Sequence, residues 1–120
     1  MSKVILIADD SASIRQVVGF VLRNAGYEVI EAVDGQDALS KLDGRKFHLI
    51  ISDVNMPNMD GLSFASAVKN NEEYKFTPIL MLTTESEERM KARGKEIGVK
   101  AWLLKPFQPP ILLSAVSKLT

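Results

Sequence analysis

Five short apolar runs, each followed closely by a stretch of helical character, decide what this chain can fold into. They are Lys3 to Ala8, Tyr27 to Ala32, Phe47 to Ile51, Ile79 to Leu82 and Lys100 to Leu104. Runs of this length, rich in β-branched residues and bounded by turn residues, read as strands buried on both faces. The second run differs, because Glu28 and Glu31 interrupt it, which suits a strand at the edge of a sheet. After Ser11-Ala12-Ser13, which can cap a helix, Ile14, Val17, Val18, Val21, Leu22 and Ala25 keep the spacing of one helical face, and Gly26 ends it. Asp34-Gly35 turns the chain into a short helix with Ala38, Leu39 and Leu42 inward, closed by Gly44. Leu62, Phe64, Ala65 and Val68 mark a third helix. Glu87 to Ile97 is helical by propensity but nearly all charged, with only Met90, Ala92 and Ile97 apolar, so it should be loosely anchored. Ile111, Leu112, Ala115, Val116 and Leu119 give the last helix its stripe, behind Gln108-Pro109-Pro110, where first-turn prolines are tolerated. Strict alternation with short links specifies an α/β fold with helices on both faces of a parallel sheet. The expectation is a flavodoxin-like (βα)5 doubly wound domain over residues 1–120, with strand order 2-1-3-4-5.

The reactive residues fall at the carboxyl ends of the runs. Asp9-Asp10 follows the first, Asp53 the third, Thr83-Thr84 the fourth and Lys105 the fifth; the edge strand carries none. In open α/β sheets, ligands bind beyond these ends, near the switch in strand order, so the four groups can converge. Carboxylates brought together repel one another unless a cation lies among them, and an all-oxygen cluster suits Mg²⁺. A carboxylate on a stiff strand end can act as a nucleophile and form an aspartyl phosphate. Lys105 would add a fixed positive charge, and the Thr83 hydroxyl could donate to a phosphoryl oxygen.

Composition narrows the partners. Lys plus Arg and Asp plus Glu are both 15, so the net charge is zero and nothing favours nucleic acid or an anionic membrane. Cysteine is absent, which removes disulfides and thiolate metal sites. The first apolar run is too short, and too soon followed by Asp9-Asp10, for a signal peptide, so a cytoplasmic location is expected.

Each residue alone has a bland reading. Asp9 and Asp10 could cap a helix, Asp53 and Asp60-Gly61 could form Asx turns, and Lys105 could be a solvated charge. Trp102 reads as packing before cofactor stacking, and His48 as a satisfied histidine. The charged fourth helix reads as a solvated face, with Lys91, Arg93 and Lys95 hinting at an acidic partner. It is the recurrence at four strand ends that favours a site.

Asp9-Asp10, Asp53 with Met56-Pro57 and Asp60-Gly61, Thr83-Thr84, and Lys105-Pro106-Phe107 together resemble the receiver-domain signature of two-component response regulators. The resemblance covers the whole chain. It implies that Asp53 is the phosphoacceptor, and that Asp10, Asp53 and the Asn55 backbone carbonyl hold Mg²⁺ with Asp9 helping through water. It also implies that Thr83 and Lys105 bind the phosphoryl group, with the Lys105-Pro106 bond cis. Trp102 stands at the family's switch aromatic, where Tyr or Phe is more usual. Asn55 and Glu85 occupy the two positions that tune dephosphorylation, a pair similar to that of CheY-like chemotaxis regulators.

The resemblance implies a sensor histidine kinase as donor, an output protein docking on the face of the fourth helix, fifth strand and last helix, and a phosphatase as a further partner. The output would be the flagellar motor switch in chemotaxis. The protein is expected to be a monomer, and not an enzyme beyond phosphotransfer and autodephosphorylation at Asp53. With the chain ending after the last helix, no DNA-binding output domain is expected. A stand-alone phosphate shuttle or sink would use the same residues. An aspartyl phosphatase would need a second acid where Asn55 stands, and a flavin site would need a phosphate cradle where Asp9-Asp10 stands.

Overall fold

The computed structural model describes residues 3–84 and 89–120. Its elements alternate as expected: β1 (Val4–Ala8), α1 (Ala12–Asn24), β2 (Glu28–Ala32), α2 (Gly35–Ser40), β3 (Leu49–Asp53), α3 (Gly61–Lys69), β4 (Ile79–Thr83), α4 (Lys91–Ile97), β5 (Ala101–Leu104) and α5 (Pro109–Leu119). The five strands form one parallel sheet in the order β2-β1-β3-β4-β5. β3 and β4 lie inside the sheet and every residue in them is buried. The interrupted β2 is an edge strand, with Glu28 exposed and Glu31 taking Arg15 and Arg23 as ion partners.

Side chains alternate between the two faces of a strand, and two cores follow from that alternation. Leu6, Ala8, Ile50, Val54, Ile79 and Met81 pack with Phe64, Ala65 and Val68 of α3. Ile5, Ile7, Leu49, Ile51, Leu80, Leu82 and Leu103 pack on the other face with Val18 and Leu22 of α1 and Leu112 and Val116 of α5. Ser11 caps α1 by accepting from the Ile14 N–H, and Gly26 leaves it with a φ of 97° that a side chain would resist.

Several boundaries differ from the sequence reading. β3 starts at Leu49 and includes Asp53, because pairing with β4 continues to Asp53 opposite Leu82. Phe47 is buried off the sheet, its ring 6.2 Å from that of Tyr74. α2 stops at Ser40, short of Gly44; Leu42 is still partly buried, and the Gly44 N–H donates to the Tyr74 hydroxyl at 2.9 Å. Within the apolar stripes, Val17 (50% exposed) and Ile111 (54%) lie on the flanks of α1 and α5 and are only half covered. Ala25 and Ala92 are exposed as well. The fourth helix is described from Lys91; Glu87 and Glu88 lie outside the described residues. His48 is satisfied, its Nδ1 accepting from the Val4 N–H at 3.0 Å.

Candidate functional site

The odd-numbered ladder Ile5, Ile7, Asp9 and its counterparts Ile51, Asp53 and Leu103, Lys105 place three candidate side chains on the α1/α5 side of the sheet, by alternation. Asp9 extends β1 by one residue, its N–H donating to the Ala32 carbonyl at 3.1 Å, and it is fully buried. Its Oδ1 accepts from the Ser11 N–H at 2.9 Å, and Arg15 braces its carbonyl from α1 at 2.6 Å. Asp53, 7% exposed, has its Oδ1 held by the Val54 N–H at 2.9 Å. Lys105 joins the two acids: its Nζ lies 3.3 Å from Asp9 Oδ2 and 3.1 Å from Asp53 Oδ1. The Lys105 N–H donates to the Thr83 carbonyl at 2.7 Å, which carries the β4–β5 ladder to the point where the lysine leaves it. The Lys105-Pro106 bond is cis.

Asp10 is exposed at the rim, yet carboxylate oxygens of Asp9, Asp10 and Asp53 all lie within 4.8 Å of one another. Three acids so close carry more charge than the one lysine between them neutralises. Burial alone would push the Lys105 ammonium down, but the charges of Asp53 and Asp9 and its hydrogen bonds to them raise it above its ordinary 10.5. The excess negative charge on hard oxygen donors fits a divalent cation such as Mg²⁺, and excludes a site built for soft metals.

Thr83 and Trp102 lie on the opposite parity. In the β4–β5 register Met81 faces Trp102 and Thr83 faces Leu104, so both residues belong to the α3/α4 side of the sheet. Thr83 is fully buried and its hydroxyl donates to the Thr84 carbonyl at 3.1 Å. The Trp102 indole is half-buried against the core and lies on Gly94 of α4, where a Cβ would collide with ring atom Cζ2. A glycine inside a helix costs about 1 kcal/mol relative to alanine, and here it makes room for the indole. Gly94→Ala is therefore expected to destabilise the wild type by roughly 1–3 kcal/mol of overpacking and to red-shift Trp102 emission. In a Trp102→Ala background the same change should stabilise by about 1 kcal/mol. Denaturation of the four proteins checks that reversal of sign.

Asn55 is exposed on the loop beyond Asp53. Glu85 lies outside the described residues. Arg15, Gly94 and the Asp34–Asn58 contact described below escaped the sequence reading. The isolated glycine in a charged helix was the one signal that pointed to any of them.

A parallel doubly wound sheet with acids from two strand ends and a lysine from a third defines an open α/β protein with a candidate ligand site at the carboxyl edge. The chain belongs to the response regulator receiver domain family, whose model matches residues 5–117. A solved structure of the chemotaxis response regulator CheY4 of Vibrio cholerae is 49% identical, superimposes with a TM-score of 0.94, and each chain covers 100% of the other. Protein PilG of Pseudomonas aeruginosa is 37% identical over 112 residues, which are 93% of this chain and 83% of that protein. Chemotaxis protein CheY of P. aeruginosa is 34% identical over 116 residues, 96% of this chain and 94% of that one. The chain spans about half the length of other relatives it matches, transcriptional regulatory proteins among them. No described helix is long and apolar enough to cross a membrane.

Proposed function

We propose that this chain is a phosphoacceptor of two-component signalling, acting in the cytoplasm in chemotaxis or a related motility pathway. The observation that carries the reading is Lys105 Nζ held between Asp9 and Asp53 at 3.3 and 3.1 Å, at the carboxyl edge of the sheet. The Asp53 carboxylate attacks the phosphorus of a phosphohistidine on the donor kinase. The new O–P bond forms as the N–P bond breaks, and the electron pair returns to the imidazole nitrogen, which takes up a proton. Asp10, Asp53 and the Asn55 carbonyl, with Asp9 behind them, would hold Mg²⁺, which supplies charge neutralisation for the phosphoryl oxygens.

Lys105 moves from bridging two carboxylates to pairing with the phosphoryl group. The Thr83 hydroxyl, donating to the Thr84 carbonyl in this structure, turns to donate to a phosphoryl oxygen. Because Thr83 and Trp102 share one side of the sheet, that turn opens space toward the indole and biases α4, a two-state shift that a partner can read. Asn55 and Glu85 tune the hydrolysis that ends the signal.

The output surface on this reading is the α4-β5-α5 face. Between β5 and α5 it carries a groove of about 390 Å³ lined by Ala101, Ile111, Ser114, Ala115, Lys118 and Leu119, with Ile111 exposed. Its partner would be a motor switch or equivalent protein, as the likeness to CheY proteins supports. A shuttle or sink would use the same site with no output partner.

Trp102, the only tryptophan, tests the reading. With Mg²⁺ present, beryllofluoride or acetyl phosphate should change Trp102 fluorescence in the wild type and leave Asp53→Asn unchanged. An equal response in both proteins, or none in either, would overturn the proposal. Capture of a motor switch protein that depends on phosphorylation separates the signalling role from the sink.

A further inference from the structure

The loop that follows Asp53 is braced by a residue from another unit of the fold. Asp34, after β2, is 7% exposed although it belongs to no strand. Its two oxygens have separate tasks. Oδ1 accepts from the Asp37 N–H at 2.8 Å and caps α2, while Oδ2 accepts from the Asn58 side-chain amide at 2.7 Å. Asn58 has a φ of 67°, and no other non-glycine described residue has a positive φ.

Backbone contact backs this bond. The Gly35 N–H donates to the Met59 carbonyl at 3.3 Å, and a Cβ on Gly35 would lie 2.6 Å from that same oxygen. At its other end the loop closes through the Gly61 N–H on the Val54 carbonyl at 2.8 Å. Asn55 stands between these two anchor points; Asn55, Pro57 and Asn58 are exposed, while Met56 and Met59 pack against the core, so the bond from Asn58 adds a polar tie on the solvent side of the loop.

We propose that Asp34 is a positioning residue for the phosphorylation site: through Asn58 it holds the Asn55 loop, and with it the backbone carbonyl that completes the metal position. The inference rests on the reading given under Proposed function. A short charge-assisted hydrogen bond donated to a buried carboxylate is suited to the task, since it is directional and about twice as strong as a neutral one. The Asp37 N–H and then the Asn58 amide hold the Asp34 carboxyl below the usual carboxylate range, so the acceptor is charged throughout the neutral range.

The division of labour between the oxygens makes the role separable from helix capping. Asp34→Ser keeps a good N-cap and loses the second acceptor. Asn58→Gly removes the amide from the other side, tolerates the left-handed backbone and leaves the charge of the site unchanged. Titration with MgCl₂, followed by calorimetry, should show affinity weakened about 10-fold in each variant, the lower range for residues that orient metal ligands. The double variant should be little weaker than either single one, because both remove one contact. Thermal unfolding in EDTA should move little for Asp34→Ser, since the cap is kept. Wild-type affinity in both variants would overturn the positioning role and leave Asp34 a helix cap. Additive losses in the double variant would overturn it too. Absence of Mg²⁺ binding by the wild type would instead overturn the phosphoacceptor reading, and this inference with it.

Discussion

Replacing Lys105 by methionine is expected to destabilise the protein in EDTA by about 3 kcal/mol, the low end of the cost of removing one partner from a buried ion pair. The low end applies because the lysine side chain keeps 17% of its exposure, whereas Asp9 has none and Asp53 only 9%. Without the ammonium, two buried carboxylates stand beside each other and the exposed Asp10 with no counter-charge from Lys105. Two further results belong to the same expectation. Mg²⁺ should recover more stability in the variant than it adds to the wild type, since it replaces the missing charge. Asp53→Asn, placed on the Lys105→Met background, should restore part of the loss by removing one of the repelling charges.

The pH dependence of the wild type has a definite sign. Lys105 is raised in the folded state above its ordinary 10.5, so its contribution is complete below 10.5 and fades as pH climbs past that value. The gap in stability between wild type and Lys105→Met, measured by denaturant titration, should be constant through neutral pH and close above 10.5. A gap that closed on acidification alone would contradict the pairing.

Gly61→Ala should be the most damaging single methyl in the molecule. An added Cβ would overlap the Asp53 carbonyl oxygen and stand 3.0 Å from Asp53 C and Val54 Cα. All three obstacles are backbone, so no side chain can swing aside. Overpacking typically costs roughly 1–3 kcal/mol, and this case should reach the top of that range or exceed it. The only relief is to lift α3, which costs the Gly61 N–H bond to Val54 and moves the Asp60 cap from Ser63, or to push Asp53 into the site. Stability and Mg²⁺ affinity should therefore fall together. A variant that kept both would show that α3 does not press on the strand end.

Much of this arrangement is legible from residue order. Asp9, Asp53 and Lys105 each end an apolar run, and a parallel sheet brings such ends to one edge, so their convergence follows from topology alone. The Ser11 cap and the first-turn prolines of α5 follow from local chemistry, and the strand order is that of the flavodoxin-like fold. What the sequence leaves hidden lies between elements. The Gly94–Trp102 fit joins a helix to a strand, and the Asp34–Asn58 bond joins two loops, so no periodicity encodes either. Val17 and Ile111 keep the inward spacing of their helices but stand on the flanks, because spacing states the direction of a face and not how far a neighbour covers it.

Phosphoryl transfer to Asp53 is read out by mass spectrometry of the intact protein. Wild type and Asp53→Asn would be incubated with acetyl phosphate, with Mg²⁺ or with EDTA, and weighed intact before peptide mapping. The wild type should gain one phosphoryl group, dependent on Mg²⁺ and mapped to the peptide containing Asp53, and the variant none. An unmodified wild type, or the same modification in Asp53→Asn, would contradict it.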